Sequence, residues 1–152
     1  MAKATEIKKQ IRELLEELMR EQVIGEVHYD DFNVGVLDRD YAKYPAAIVT
    51  SPSIDARTET NRENMRTYTF EIVFVQKAEN IGKDVPEAIE DLVETILKKF
   101  DDDMLTGATS KLRSGGADGG VEPSASTPEA VVSRSKTYIV FSVFVRANAI
   151  YP

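Results

Sequence analysis

At 152 residues, 42% apolar and 30% charged, the chain has the length and composition of a single globular domain, residues 1–152, with a core of its own. Cysteine is absent, which excludes disulfides, thiolate catalysis and cysteine metal sites. With 19 Lys+Arg against 26 Asp+Glu, the net charge of −7 argues against general affinity for nucleic acid.

The N-terminal residues lack the apolar core of a secretion signal, and no apolar run approaches the roughly 20 residues that span a bilayer. The expectation is a protein made in the cytosol, with no membrane partner. In chain order, Ile7, Ile11, Leu14, Leu15, Leu18 and Met19 recur at three and four and predict a helix over 5–21, with Thr5 as its N-cap. Gly25 is placed to turn the chain after it. A short strand is expected near Glu26–Tyr29, then a turn around Asp30-Asp31. Tyr44–Thr50 predicts a strand that starts at Pro45, where the missing N–H does least harm, and Ser51-Pro52-Ser53 ends it.

Residues 55–64 are almost entirely polar and read as an arm or loop, because periodicity gives them no core face. Arg66–Ala78 alternates cleanly, with Tyr68, Phe70, Ile72 and Phe74 on one face, and predicts a strand with one buried side. After a turn at 79–83, Ile89, Leu92, Val93, Ile96 and Phe100 make the stripe of a second helix over 85–100, with Asp84 as N-cap and Lys98 and Lys99 at its C-terminal end. Residues 101–127 read as a flexible glycine-containing segment, with Gly115–Gly120 as the tip of a possible hairpin.

Lys136–Arg146 predicts a last strand that nearly repeats Arg66–Gln76, sharing Thr, Tyr, Val, Phe and Val without a gap. Tyr138, Val140 and Phe144 occupy one of its faces, and Ile139, Phe141, Val143 and Val145 the other. A strand apolar on both faces is either doubly covered or buried by another chain. Two helices suffice for one side only. The expected architecture is therefore α+β: a mostly antiparallel sheet of about four strands, two amphipathic helices on one face, and a flexible hairpin or loop.

Candidate sites are sparse. His28 is the only histidine, so an imidazole pair or cluster is excluded. Asp101-Asp102-Asp103 could attract a hard cation, but adjacent aspartates after a helix end lack the spacing of a calcium loop. The glycine cluster matches neither phosphate-binding fingerprint. No catalytic residue, metal site or cofactor is expected. Arg57, Glu59, Arg62 and Glu63 on the polar arm, with Ile139, Phe141 and Val143 on the last strand, are the candidates for an assembly interface.

The element order carries a resemblance. An N-terminal amphipathic helix, the proline-led strand Tyr44–Val49, a polar arm, the strand Asn64–Ile72, the helix Glu87–Phe100, a glycine-interrupted stretch with Val121-Glu-Pro-Ser124 and a closing strand resemble the tail-terminator (tail-completion) proteins of long-tailed bacteriophages and phage-like particles. The resemblance implies a structural virion protein that forms a hexameric ring on the tail tube, stops tube polymerisation and joins the head–tail connector. It implies as partners other copies of the chain, the tail-tube protein and the connector. DNA would pass through the ring without sequence-specific binding, and the location would be the head-proximal end of the virion tail. Another neck or connector protein of the same particle is the alternative within this class. A small metal-dependent enzyme using Asp101–Asp103 or His28 is the alternative outside it.

Overall fold

The computed structural model describes residues 3–29, 41–50, 52–58, 64–78, 85–106, 121–133 and 135–151. In chain order the elements are α1 (Lys3–Arg20), β1 (Glu26–Tyr29), β2 (Ala46–Val49), β3 (Ser53–Thr58), β4 (Asn64–Lys77), α2 (Val85–Thr106), β5 (Val121–Ala125), β6 (Glu129–Ser133) and β7 (Lys136–Tyr151). The expected turns at 30–31 and 79–83, the Asp84 cap and the glycine cluster 115–120 lie outside the described residues.

The chain is α+β, but its sheet corrects the four-strand expectation. Seven strands form one mixed sheet in the order β1-β2-β4-β7-β5, with β3 also on β4 and β6 also on β7. β1 runs parallel to β2, and every other pairing is antiparallel. The centre is the β4–β7 ladder, which continues from Asn64↔Tyr151 to Lys77↔Tyr138.

The extra strands come from two bulges. Val49 pairs with Ile72 and Ser53 with Thr69, so four steps on the outer strand match three on β4. On the far side, Ala125 pairs with Val143 and Glu129 with Val140, again four steps against three. Each outer strand thus carries one extra residue, which splits it in two and shifts its side-chain alternation. Pro52 and Pro128 sit at these interruptions, where a missing N–H is tolerated. The polar segment from Ile54 onwards lacks a period-two core signal because β3 lies at an edge and enters after a bulge.

Both helices cover one face. Ile11, Leu14, Leu15 and Leu18 of α1 and Ile96 and Phe100 of α2 bury against Phe70, Ile72 and Phe74 of β4 and Phe141, Val143 and Val145 of β7. The rings of Phe74 and Phe141 stack with centroids 5.1 Å apart. Lys99 joins the helices, its Nζ lying 2.8 Å from Glu17 and 2.9 Å from Glu21. It works as an interhelical link more than as a dipole cap. α2 continues six residues past the expected end at Phe100, so Asp101–Asp103 belong to its last turns and do not form a helix exit. Phe100 and Met104 extend the i, i+4 spacing from Ile96, the signal that favours this longer helix.

The second face of the sheet is also covered from within the chain. Tyr41 and Tyr44 fold over it and pack with Ile48, Val73, Val75, Tyr138 and Val140. Gly25 lets this cover close. A Cβ there would stand 2.7 Å from the Lys43 Cβ, and the Gly25 N–H donates to the Pro45 carbonyl at 2.8 Å.

Phe141→Ala removes one ring of the central stack at a buried site. It is expected to lower unfolding free energy by about 3–5 kcal/mol in urea titration, whereas Val132→Ala, at a side chain 72% exposed, is expected to change it by under about 0.5 kcal/mol.

Candidate functional site

Among the described residues, the predicted interface residues fall on two different elements, β3 and β7. Arg57 is in β3, its backbone paired with Met65 of β4, while Glu59, Arg62 and Glu63 lie outside the described residues. Phe141 and Val143 are core residues beneath the helices, and Ile139, on the same side of β7, is only 8% exposed. The face that looked in need of a partner is therefore the helix-covered one. Its opposite, with Tyr138 and Val140, is covered by Tyr41 and Tyr44 of the same chain. Sequence periodicity detects two apolar faces but not which segment covers each.

A polar relay crosses the sheet between the bulges. Thr50 donates both its N–H and its hydroxyl to the Glu71 carbonyl, at 3.1 and 2.8 Å. Ser142 Oγ donates to Glu71 Oε2 at 2.8 Å. The Ser142 N–H donates to Ser126 Oγ, and the Ser126 N–H returns to the Ser142 carbonyl, both at 2.8 Å. Glu71 and Ser142 are diagonal neighbours on the central ladder, so their contact ties the bulge on one side to the bulge on the other. The residue types are those that satisfy backbone groups where a strand is interrupted. The Glu71 carboxylate accepts from the Ser142 hydroxyl and its backbone carbonyl accepts from Thr50, so one residue ties the two interruptions together.

His28 belongs to a different cluster. Its ring packs 5.1 Å from Tyr41, which meets Tyr44 edge-on at 5.8 Å, and Tyr44 lies 6.3 Å from Tyr138. Lys77 Nζ sits 4.9 Å above the Tyr44 ring. His28 Nε2 is 2.8 Å from Glu26 Oε1, and Glu26 Oε2 accepts from the Lys43 N–H at 3.1 Å. Burial by itself would raise the Glu26 carboxyl, but the backbone N–H groups of Lys43 and Ala42 together with His28 bring it below its usual value. On the helix side of β1, burial pushes the Tyr29 phenol up against the opposing influence of Arg12, whose guanidinium stacks 4.5 Å from the ring. These contacts fasten segment 41–45 and helix α1 to β1.

A depression of about 470 Å³ lies between α1 and this segment, lined by Met19, Gln22, Ile24, Gly25, Lys43 and Tyr44. Among the described residues its lining carries one cation, Lys43, and no carboxylate or imidazole. Met19, expected in the buried stripe of α1, is 37% exposed at its rim. Among the described residues no three His, Asp or Glu side chains are grouped to hold a metal ion, and no helix is long and apolar enough to cross a membrane. No protein-family model and no curated protein matches this chain.

What the geometry offers is backbone and surface. Along the central ladder, backbone pairing runs on from Tyr68 to Asn64 and Tyr151, and β3 follows it as far as Thr58↔Asn64. That is four further residues on β4, about 13 Å at 3.3 Å per residue. Over these residues the ladder is a three-stranded blade of β3, β4 and β7.

Two measurements probe these contacts. Ser142→Ala leaves the Glu71 carboxylate without its hydroxyl partner and is expected to cost about 1–2 kcal/mol, with most of that loss absent when Glu71 is already Gln, as read by a double-mutant cycle. Because Glu26 is held below its unfolded value, its contribution is complete above the ordinary carboxylate range and is lost as pH falls through the depressed value. Wild type is expected to lose more stability on acidification than Glu26→Gln, by under about 1 kcal/mol for so accessible a pair, in urea midpoints measured across the acid limb.

Proposed function

We propose that this protein is a structural assembly subunit, the tail terminator of a long-tailed phage or phage-like particle. Its work is to form a ring on the last ring of tail-tube subunits, stop tube growth and present a surface to the head connector. The observation that carries the reading is the blade. Strands of 14 and 16 residues are far longer than the typical five or six, and their continuous pairing carries the polar strand β3 as far as Thr58↔Asn64. A lone domain gains little by ordering such an extension against the chain entropy it loses. A subunit that must reach a neighbour gains a rigid arm.

The resemblance in element order supports the same reading, and the arm expected from the polar segment corresponds in part to β3. The acidic balance suits a channel that lets DNA pass without holding it.

The test is assembly. Purified protein, alone and with tail-tube protein, is measured by native mass spectrometry, and tube lengths are followed by electron microscopy. The expected outcome is a closed oligomer that sits at one end of the tube and arrests its growth at substoichiometric amounts. A monomer that leaves tube length unchanged overturns the proposal. Binding only to tail-free capsids assigns the protein to the connector instead.

A further inference from the structure

We infer that copies of this chain join edge to edge, β6 of one copy pairing antiparallel with β1 of the next, in the register Val27↔Val132, His28↔Val131 and Tyr29↔Ala130. The inference deepens the ring reading and rests on it.

Among the described residues no strand pairs with the outer edge of β1 or of β6, and these two edges lie on opposite sides of the sheet and share one common level. Through the ladder registers, Glu26 is level with Ala46, Val75 and Val140, and Glu129 is level with Val140 as well. Polarity also matches. β1 is parallel to β2, and three successive antiparallel steps from β2 through β4 and β7 to β6 leave β6 running opposite to β1. Two copies in the same orientation therefore present antiparallel edges to each other. A contact between different patches on each copy is head-to-tail, the kind that generates rings.

The side chains select the register. β6 reads Glu-Ala-Val-Val-Ser, with no Lys or Pro to guard it and Val132 72% exposed. An apolar edge of this kind is a template for pairing. With no slide, Glu129 would face Glu26, two like charges directly opposed. A slide of four residues, about 13 Å at 3.3 Å per residue, removes that clash and pairs all four residues of β1. It also keeps the faces in phase. Val27 and Tyr29 lie on the helix side of β1, as Val132 and Ala130 do on β6 by their pairing with Thr137 and Ile139. His28 and Val131 share the tyrosine side, since their partners Ile48 and Tyr138 both belong to that cluster. A stagger between strands is what a closed sheet needs.

The absence of cysteine makes the test clean. His28→Cys protein is mixed with Val131→Cys protein under mild oxidation, at concentrations where native mass spectrometry of wild type reports the ring. The expected result is a covalent dimer in the mixture and none in either variant alone, with a ladder of multimers ending at the ring number when one chain carries both substitutions. Val132→Lys, at a side chain already in solvent, is expected to keep the wild-type circular dichroism and melting temperature while raising the concentration needed for assembly at least tenfold. A ring that forms without the mixed disulfide and ignores Val132→Lys overturns the edge pairing and leaves the ring reading standing. A dimer from Val131→Cys alone replaces head-to-tail pairing with a two-fold β6–β6 contact. Absence of any oligomer, with or without tube protein, overturns both.

Discussion

The antiparallel pairing of β4 with β7 is the constraint on which the rest depends. It sets the height of every other strand, and it carries both cores, because each of the two strands is apolar on both sides where they cross. The register has a less obvious effect. Arg66–Gln76 and Lys136–Arg146 are near-copies in sequence, yet Tyr68 faces the helices while Tyr138 faces the tyrosine cluster. Phe74 meets Phe141, not its sequence equivalent Phe144. The near-copies present opposite faces because the ladder joins odd-numbered positions to even-numbered ones. An offset of one residue would reverse every side chain on one strand.

That parity explains much of what the sequence could and could not reveal. The two helices, the central strands and the helix-facing residues Phe70, Ile72 and Phe74 follow from periodicity, since 3.6- and two-residue repeats report a buried stripe directly. Periodicity says nothing about which segment lies over a stripe. Tyr41 and Tyr44 flank an undistinguished Ala42-Lys43 and carry no repeat, so their closure over Val73, Val75 and Tyr138 left no trace. β3, β5 and β6 were obscured for another reason. Each is short, lies at an edge and begins or ends at a bulge, so the alternation that identifies a strand is reset within a few residues.

The candidate surfaces show the same division. Arg57 stands in a polar segment that reads as an arm or loop, and residues 55–58 of that segment belong to the paired strand β3. Ile139, Phe141 and Val143 were singled out by apolar character, a property that marks core and interface equally. What separates the two is accessibility, and accessibility depends on the neighbours. Val132 is the instructive contrast. It belongs to a short, weakly patterned segment, and only its pairing with β7 shows that it stands at an open edge.

The relay from Thr50 through Glu71 and Ser142 to Ser126 has a consequence for shape. An inserted residue bends a strand and steepens its twist, and here the two insertions lie on a diagonal, one on each side of the central pair. The diagonal runs through Glu71 and Ser142, within the helix-covered part of the sheet, and both insertions are tied to it. A carboxylate spans the diagonal, and a hydroxyl or backbone group satisfies each interruption, so each single-residue insertion is held by the same relay. In a lineage of such proteins, gaining or losing one residue at Thr50 or Ser126 would re-aim the strand that follows it without altering a single core side chain.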